Sequence, residues 1–191
     1  MLIRSGEALG IGWSRNMLYS GFITLHRSVI RRQTGFAARI TRTLYRYRPL
    51  LIRSTKHAAL FIGNAMDARD LKLLYENDIS AVVDLAFNEK PAQPARDMIY
   101  CRFPINDGGG NTDSIIQTAI STTVSLINEN QRTLVAWSAG MSRAPSIASA
   151  ALAIATSRDA DECLAEIATD GPHDVSPVLW ADVKRACGII G

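Results

Sequence analysis

The apolar and polar positions of the chain change pattern near residue 57. Downstream, short apolar runs of strand length alternate with longer segments that carry apolar residues at helical spacing. The runs 58–62, 80–85 and 98–103, and a further run around Leu134 and Val135, are predicted as strands. Helices are predicted over 67–75, from Thr112 or Asp113 through Ile127, over 144–156, and over about 159–168 and 177–187. This alternation predicts an α/β domain with a mostly parallel central sheet flanked by helices.

Composition narrows the class of protein. The chain has 191 residues and 47% of them are hydrophobic, which is enough for a buried core and excludes a disordered or fibrous protein. Neither a transmembrane segment nor a secretory signal is recognisable, so we expect a soluble cytoplasmic protein. Its three cysteines are too scattered for a disulfide framework or paired zinc ligands. No metal and no cofactor is expected.

The charge is distributed unevenly along the chain. Residues 1–56 contain eleven Lys and Arg residues and one acid, a net charge of +10, whereas residues 57–191 carry a net charge of −7. We therefore expect a basic N-terminal extension over 1–56 and a separate domain over 57–191. The extension is interpreted as a poorly ordered tail or as sequence upstream of the true start. Three alternatives are an organelle-targeting peptide, an anchor to an anionic membrane and an arm that binds nucleic acid.

A loop that suits anion binding follows the fourth predicted strand. In the segment 133–146 a buried strand, a glycine-bearing loop, Arg143 and a helix start come in direct succession. At such a junction, backbone N–H groups and the helix N-terminus converge on one point. Gly140 permits a tight turn there, and Arg143 can add a bidentate fork for phosphate. It is not a Walker loop, because no Gly-Lys-Ser/Thr follows.

These residues resemble the cysteine-dependent protein phosphatases, and within them the small dual-specificity group. The signature of that family is His-Cys-x-x-Gly-x-x-Arg-Ser/Thr on a strand, loop and helix. The interior of the loop matches it at Ser138, Ala139, Gly140, Met141, Ser142 and Arg143.

The resemblance extends over about 57–191. Leu60–Asn64 is similar to the opening strand of the family and Phe103–Asp107 to its general-acid loop. It implies a phosphate-binding loop, Asp107 as the general acid, and a phosphorylated protein or another phosphate-bearing group as ligand. The alternative for Asp107 is a turn aspartate before three glycines.

Three positions depart from the family pattern. Trp137 stands where the nucleophilic Cys belongs, Ala136 where His is usual, and Ala144 where a Ser or Thr is usual. An indole cannot attack phosphorus, so the nucleophile is lost. We therefore predict a catalytically impaired dual-specificity phosphatase-like protein, a pseudophosphatase, with a residual anion-binding loop over 137–143.

Other nucleophiles are not expected to substitute for the missing cysteine. Cys101, Cys163 and Cys187 lie outside any anion-binding loop that would stabilise a thiolate. Ser138 and Ser142 lie in the loop, but no base is evident beside them in the sequence.

Several alternatives stay open. The indole of Trp137 either fills the former active site and blocks phosphate, or the loop rearranges and the anion site partly persists. The native protein is alternatively an active phosphatase in which Trp137 replaces the catalytic Cys, since the two codons differ by one base. In a further alternative, the basic N-terminus is the functional part of the protein and the domain is a scaffold.

Overall fold

The computed structural model describes residues 52–138, 142–169 and 174–188. The predicted basic extension through residue 51 and the loop residues 139–141 lie outside them. The described chain forms eleven elements: β1 Arg53–Ser54, β2 Leu60–Asn64, a 3-10 turn Asp67–Arg69, α1 Leu71–Glu76, β3 Ala81–Ala86, β4 Ile99–Ile105, α2 Asp113–Asn128, β5 Thr133–Trp137, α3 Arg143–Thr156, α4 Ala160–Thr169 and α5 Pro177–Ala186.

The strands form one sheet in the order β1-β2-β5-β3-β4. The pairs β2/β5, β5/β3 and β3/β4 are parallel, and only β1 at the edge is antiparallel. The predicted α/β fold with a mostly parallel sheet is therefore confirmed. Because the carboxyl ends of parallel strands meet at one edge, the loops after β2, β3, β4 and β5 lie together there.

The central strands are buried on both faces. Every residue of β3 and β5 is buried, which explains why both read as continuous apolar runs rather than alternating ones. Helices α2, α3, α4 and α5 pack on one face and form the larger core with it. The 3-10 turn and α1 cover the other face around Leu74, Val82 and Leu134. Helix α3 is buried from Arg143 through Ala153, and its many Ala residues permit close packing on the sheet.

The sheet begins slightly before the boundary placed near residue 57. Strand β1 pairs Arg53 with Ile62 and Ser54 with Phe61. The division between an extension and a domain stays a prediction. None of the helices in the described ranges is long and apolar enough to cross a membrane.

One predicted helix is divided in the structure. The segment 67–75 forms a 3-10 turn and a separate helix α1, because Asp70 between them adopts an extended backbone. The Asp70 carboxylate accepts from the N–H of Leu73 at 3.1 Å and caps the new helix. Asp67 is buried and accepts from the N–H of Asn64 at 2.7 Å. The expectation of one continuous helix was wrong because Asp70 adopts an extended backbone and its carboxylate binds the N–H of Leu73, which a continuous helix would have paired with a backbone carbonyl.

Candidate functional site

Trp137 is the last residue of β5 and lies at the carboxyl edge of the sheet. It pairs in register with Asn64 of β2, and its carbonyl accepts from the N–H of Ala65 at 3.0 Å. Its side chain is only 8% exposed and belongs to the larger core. The residue at the position that the resemblance assigns to the nucleophile is therefore packed into the protein.

Arg143 opens helix α3 and packs directly against that indole. Its guanidinium carbon lies 3.8 Å from the centre of the Trp137 ring, and the residue is only 5% exposed. A guanidinium over an indole face gains cation–π attraction, and the gain is larger when the pair is shielded from water.

The charge of Arg143 is buried with few hydrogen-bond partners. Its Nη1 donates to the carbonyl of Ile105, at the end of β4. Throughout the described ranges it forms no ion pair. Burial lowers the pKa of Arg143 to about 10, and the negative charge of Asp107 opposes this shift. Burial therefore disfavours the charged form, which a bound anion would stabilise.

Asp107 is held next to the start of α3. The hydroxyl of Ser142 donates to Oδ1 of Asp107 at 2.8 Å. Ser142 occupies the N-cap position of α3, and its oxygen also receives a long hydrogen bond of 3.5 Å from the N–H of Ser176, just before α5. One buried serine thus connects the loop after β4, helix α3 and the start of α5.

A carboxylate lies beside Ser142, although no base is evident there from the sequence. Asp107 and Ser142 are far apart in sequence, and only the parallel sheet brings the loop after β4 to the loop after β5. The serine is 3% exposed, so its hydroxyl is engaged with Asp107 rather than open to a ligand.

The loop that carries Asp107 is closed by Asn111. The Asn111 Oδ1 accepts from the N–H of Asn106 at 2.8 Å, and its Nδ2 donates to the carbonyls of Asn106 and Gly108, both at 3.1 Å. Gly108 and Gly110 have positive φ, at 112° and 88°. Gly108 and Gly110 therefore have a backbone conformation that favours glycine, and the turn depends on them.

Of the remaining predicted loop residues, the structure describes one. Ser138 is half-buried after β5, and Ala139, Gly140 and Met141 lie outside the described residues. Of the predicted site, the structure brings together Trp137, Ser142, Arg143 and Asp107.

The three cysteines lie on other elements. Cys101 is in β4, Cys163 in α4 and Cys187 directly after α5. Burial raises the pKa of Cys163 and of Cys187. Raised pKa values favour thiols over thiolates, which are the nucleophilic form.

The sequence reasoning missed a buried carboxylate in β3. Asp84 in β3 is buried, and the hydroxyl of Tyr100 in β4 donates to it at 2.6 Å. Burial, followed by this hydrogen bond, raises the pKa of Tyr100 to about 12. The Arg102 Nε lies 3.9 Å from the same carboxylate, and Arg102 Nη2 donates to the carbonyls of Ala86 and Glu89. The available signal was a single acid inside the apolar run of β3.

Comparison with known proteins identifies the fold. No family model matches the sequence, and no curated protein matches it. Among solved structures, a mouse protein assigned as a dual specificity phosphatase, complexed with zinc tungstate, aligns with a TM-score of 0.66 at 20% identity. The alignment covers 75% of this chain and 90% of the mouse chain.

Two human structures align similarly. DUSP28 gives a TM-score of 0.64 at 17% identity, covering 74% of this chain and 95% of its own. The tyrosine phosphatase-like serine/threonine/tyrosine-interacting protein gives a TM-score of 0.63 at 15% identity. That alignment covers 72% of this chain and 96% of the human chain. The chain therefore has the dual-specificity phosphatase fold, as the resemblance predicted.

Proposed function

We propose that this phosphatase-like domain is a pseudophosphatase that binds phosphate-bearing groups without hydrolysing them. The observation that carries the proposal is the pairing of Trp137 with Arg143 at the end of β5. It combines the loss of a nucleophile with the retention of a buried cation.

The loss of hydrolysis follows from the chemistry of the indole. Covalent phosphatase catalysis needs a thiolate or another activated nucleophile at the end of this strand, and an indole offers none. The hydroxyl of Ser142 is buried and donates to Asp107. The structure therefore holds this hydroxyl in a contact with Asp107, at a residue that is only 3% exposed.

Retention of binding follows from the surroundings of Arg143. The charge of Asp107 offsets only part of the cost of burying the Arg143 cation, and a bound anion would offset more of it. Arginine is well suited to phosphate because its planar fork donates two parallel hydrogen bonds. The mouse neighbour is complexed with a tungstate, and one human neighbour is named as an interacting protein. Both support the proposal that this domain binds a phosphorylated protein or another phosphate-bearing ligand.

Activity and binding can be tested separately on the full chain. A generic aryl phosphate assay compares the protein as given with Trp137→Cys, and with Arg143→Lys as the matched control in each background. We expect no Arg143-dependent turnover by the protein as given, and binding of inorganic phosphate, measured by calorimetry, that weakens in Arg143→Lys.

Two results would overturn the proposal. Turnover by the protein as given that Arg143→Lys abolishes would make it an enzyme. Absence of phosphate binding by the folded protein would remove the binding role. Turnover gained by Trp137→Cys would show that only the nucleophile is missing.

A further inference from the structure

Two N–H groups within the Trp137–Arg143 pair have no acceptor. Both Nε1 of Trp137 and Nε of Arg143 are inaccessible to solvent, and neither donates a hydrogen bond within the described part of the chain. Trp180 provides a contrast, because its Nε1 donates to Oδ1 of Asp161 at 2.6 Å. Among the described residues the Oγ of Ser149 in α3 also has no partner, but Trp137 and Arg143 are the two such donors that contact each other.

Buried donors without acceptors need a physical explanation. Leaving one unpaired costs about 1–3 kcal/mol, and most buried donors in folded proteins are paired. Here two such donors belong to side chains stacked 3.8 Å apart, and one of them is on a cation. One anionic acceptor that reaches both donors would satisfy the two N–H groups and balance the charge of Arg143.

We propose that Trp137 is a ligand-binding residue, whose indole N–H and the Nε–H of Arg143 donate together to one phosphate group, free or esterified. This inference rests on the proposed function and deepens it. The indole supplies a hydrogen-bond donor at the position where the resemblance expects an attacking sulfur. Its ring also supports the guanidinium from one side, which keeps the fork of Arg143 in place.

The stacked geometry favours a tetrahedral anion over a planar one. The two donors belong to different side chains, and each lies in the plane of its own group. A tetrahedral phosphate can direct different oxygens to the two planes, whereas the two oxygens of a carboxylate match the single plane of one guanidinium fork. We therefore expect phosphate to bind more tightly than acetate.

The indole N–H signals of the full chain report directly on this contact. The protein has three tryptophans, and their indole signals are resolved by proton–nitrogen NMR, with Trp137→Phe identifying the signal of Trp137. Titration with inorganic phosphate, and separately with phenyl phosphate, is expected to shift the Trp137 signal. The Trp180 signal should stay in place because Asp161 already accepts its hydrogen. The two titrations distinguish free phosphate from a phosphate ester.

Affinity measurements by calorimetry complete the test. Trp137→Phe keeps an aromatic ring beneath Arg143 but removes the donor, and we expect phosphate to bind roughly tenfold more weakly. Trp180→Phe is the matched control and should leave the affinity unchanged.

The outcomes separate this inference from the proposed function. If phosphate binds, Arg143→Lys weakens it, and Trp137→Phe does not, the inference is wrong while the proposed function stands. An unshifted Trp137 signal at saturating phosphate also overturns the inference, and the titration itself uses the unaltered protein. If the folded protein binds no phosphate at all, the proposed function is wrong, and so is the inference that rests on it.

Discussion

The guanidinium carbon of Arg143 lies 3.8 Å from the centre of the Trp137 ring, so the end of β5 and the start of α3 are joined by a buried stack. The Nη1 of the same guanidinium donates to the carbonyl of Ile105 at the end of β4. Three elements at the carboxyl edge of the sheet therefore depend on this pair of side chains. The residue at the position that the resemblance assigns to the nucleophile therefore also joins these elements.

Shortening Trp137 should destabilise the domain. Trp137→Ala removes a buried aromatic ring and its stack with Arg143, and we expect a loss of about 3–5 kcal/mol in the free energy of unfolding. Trp137→Phe fills most of the space and should cost less. Urea unfolding followed by circular dichroism measures both. Phe87→Ala is the control, because that ring is 50% exposed and its loss should change stability little. Equal losses for Trp137→Ala and Phe87→Ala would contradict the packing described for Trp137.

Removing the hydroxyl of Ser142 should loosen the loop that carries Asp107. Ser142→Ala deletes the donor to Asp107 and the acceptor for the N–H of Ser176. We expect a loss of about 1 kcal/mol and faster amide hydrogen exchange over residues 106–111, measured by mass spectrometry. Ser125→Ala on the exposed face of α2 is the matched control and should leave exchange in this loop unchanged. Unchanged exchange in Ser142→Ala would mean that Asn111 alone holds the loop.

Alkaline pH should weaken the contact between Tyr100 and Asp84. The pKa of Tyr100 is raised from 10.0 to about 12, so the neutral phenol is favoured in the folded state. Its contribution to stability is complete below pH 10 and is lost as the pH rises from 10 to 12. Urea unfolding at several pH values should therefore show a decline over this range that is smaller in Tyr100→Phe.

Tyr100→Phe should itself cost about 1–3 kcal/mol at neutral pH, because it leaves the buried Asp84 carboxylate without its closest donor. Tyr75→Phe is the comparison, since the exposed Tyr75 donates to Asp97 on the surface. We expect it to change stability by less than about 0.5 kcal/mol. A parallel alkaline decline in the protein as given and in Tyr100→Phe would assign that decline to other groups.

Two glycines should respond differently to alanine. A Cβ on Gly63 in β2 would lie 2.8 Å from Oδ2 of Asp67 and 3.0 Å from Cδ1 of Leu134, and both neighbours are buried. We expect Gly63→Ala to cost about 1–3 kcal/mol, measured by urea unfolding. A Cβ on Gly109 would meet only Cγ1 of the exposed Val178, at 3.1 Å, so Gly109→Ala should cost less. The reverse order would show that the surroundings of Gly63 relax more readily than the packing suggests.

Much of the fold was predictable because local patterns specify it. The fully buried strands β3 and β5 appear as apolar runs, and α2 appears as a stripe through Ile116, Ile120 and Ile127. The division of 67–75 was not predicted. It depends on the extended backbone of Asp70 and on its carboxylate binding the N–H of Leu73, and helical spacing alone does not report such a contact.

The candidate site was predicted in its residues but not in its contacts. The loop motif singles out Trp137, Ser142 and Arg143, and the resemblance adds Asp107. The hydrogen bond between Ser142 and Asp107 links positions on two different loops, and periodicity contains no information about such a pair. The contact between Asp84 and Tyr100 was missed for the same reason, since it joins neighbouring strands.

By itself, the sequence determined the class of fold and the absence of a cysteine at position 137, because apolar spacing and residue identity are local properties. Tertiary structure alone decided that the indole is buried against Arg143 and that Asp107 is bound by Ser142. It also decided that the indole N–H of Trp137 and the Nε–H of Arg143 have no acceptor among the described residues. These features require side chains from β4, β5 and α3 to meet at one edge of a parallel sheet. Only the folded chain brings such distant residues within hydrogen-bond and stacking distance.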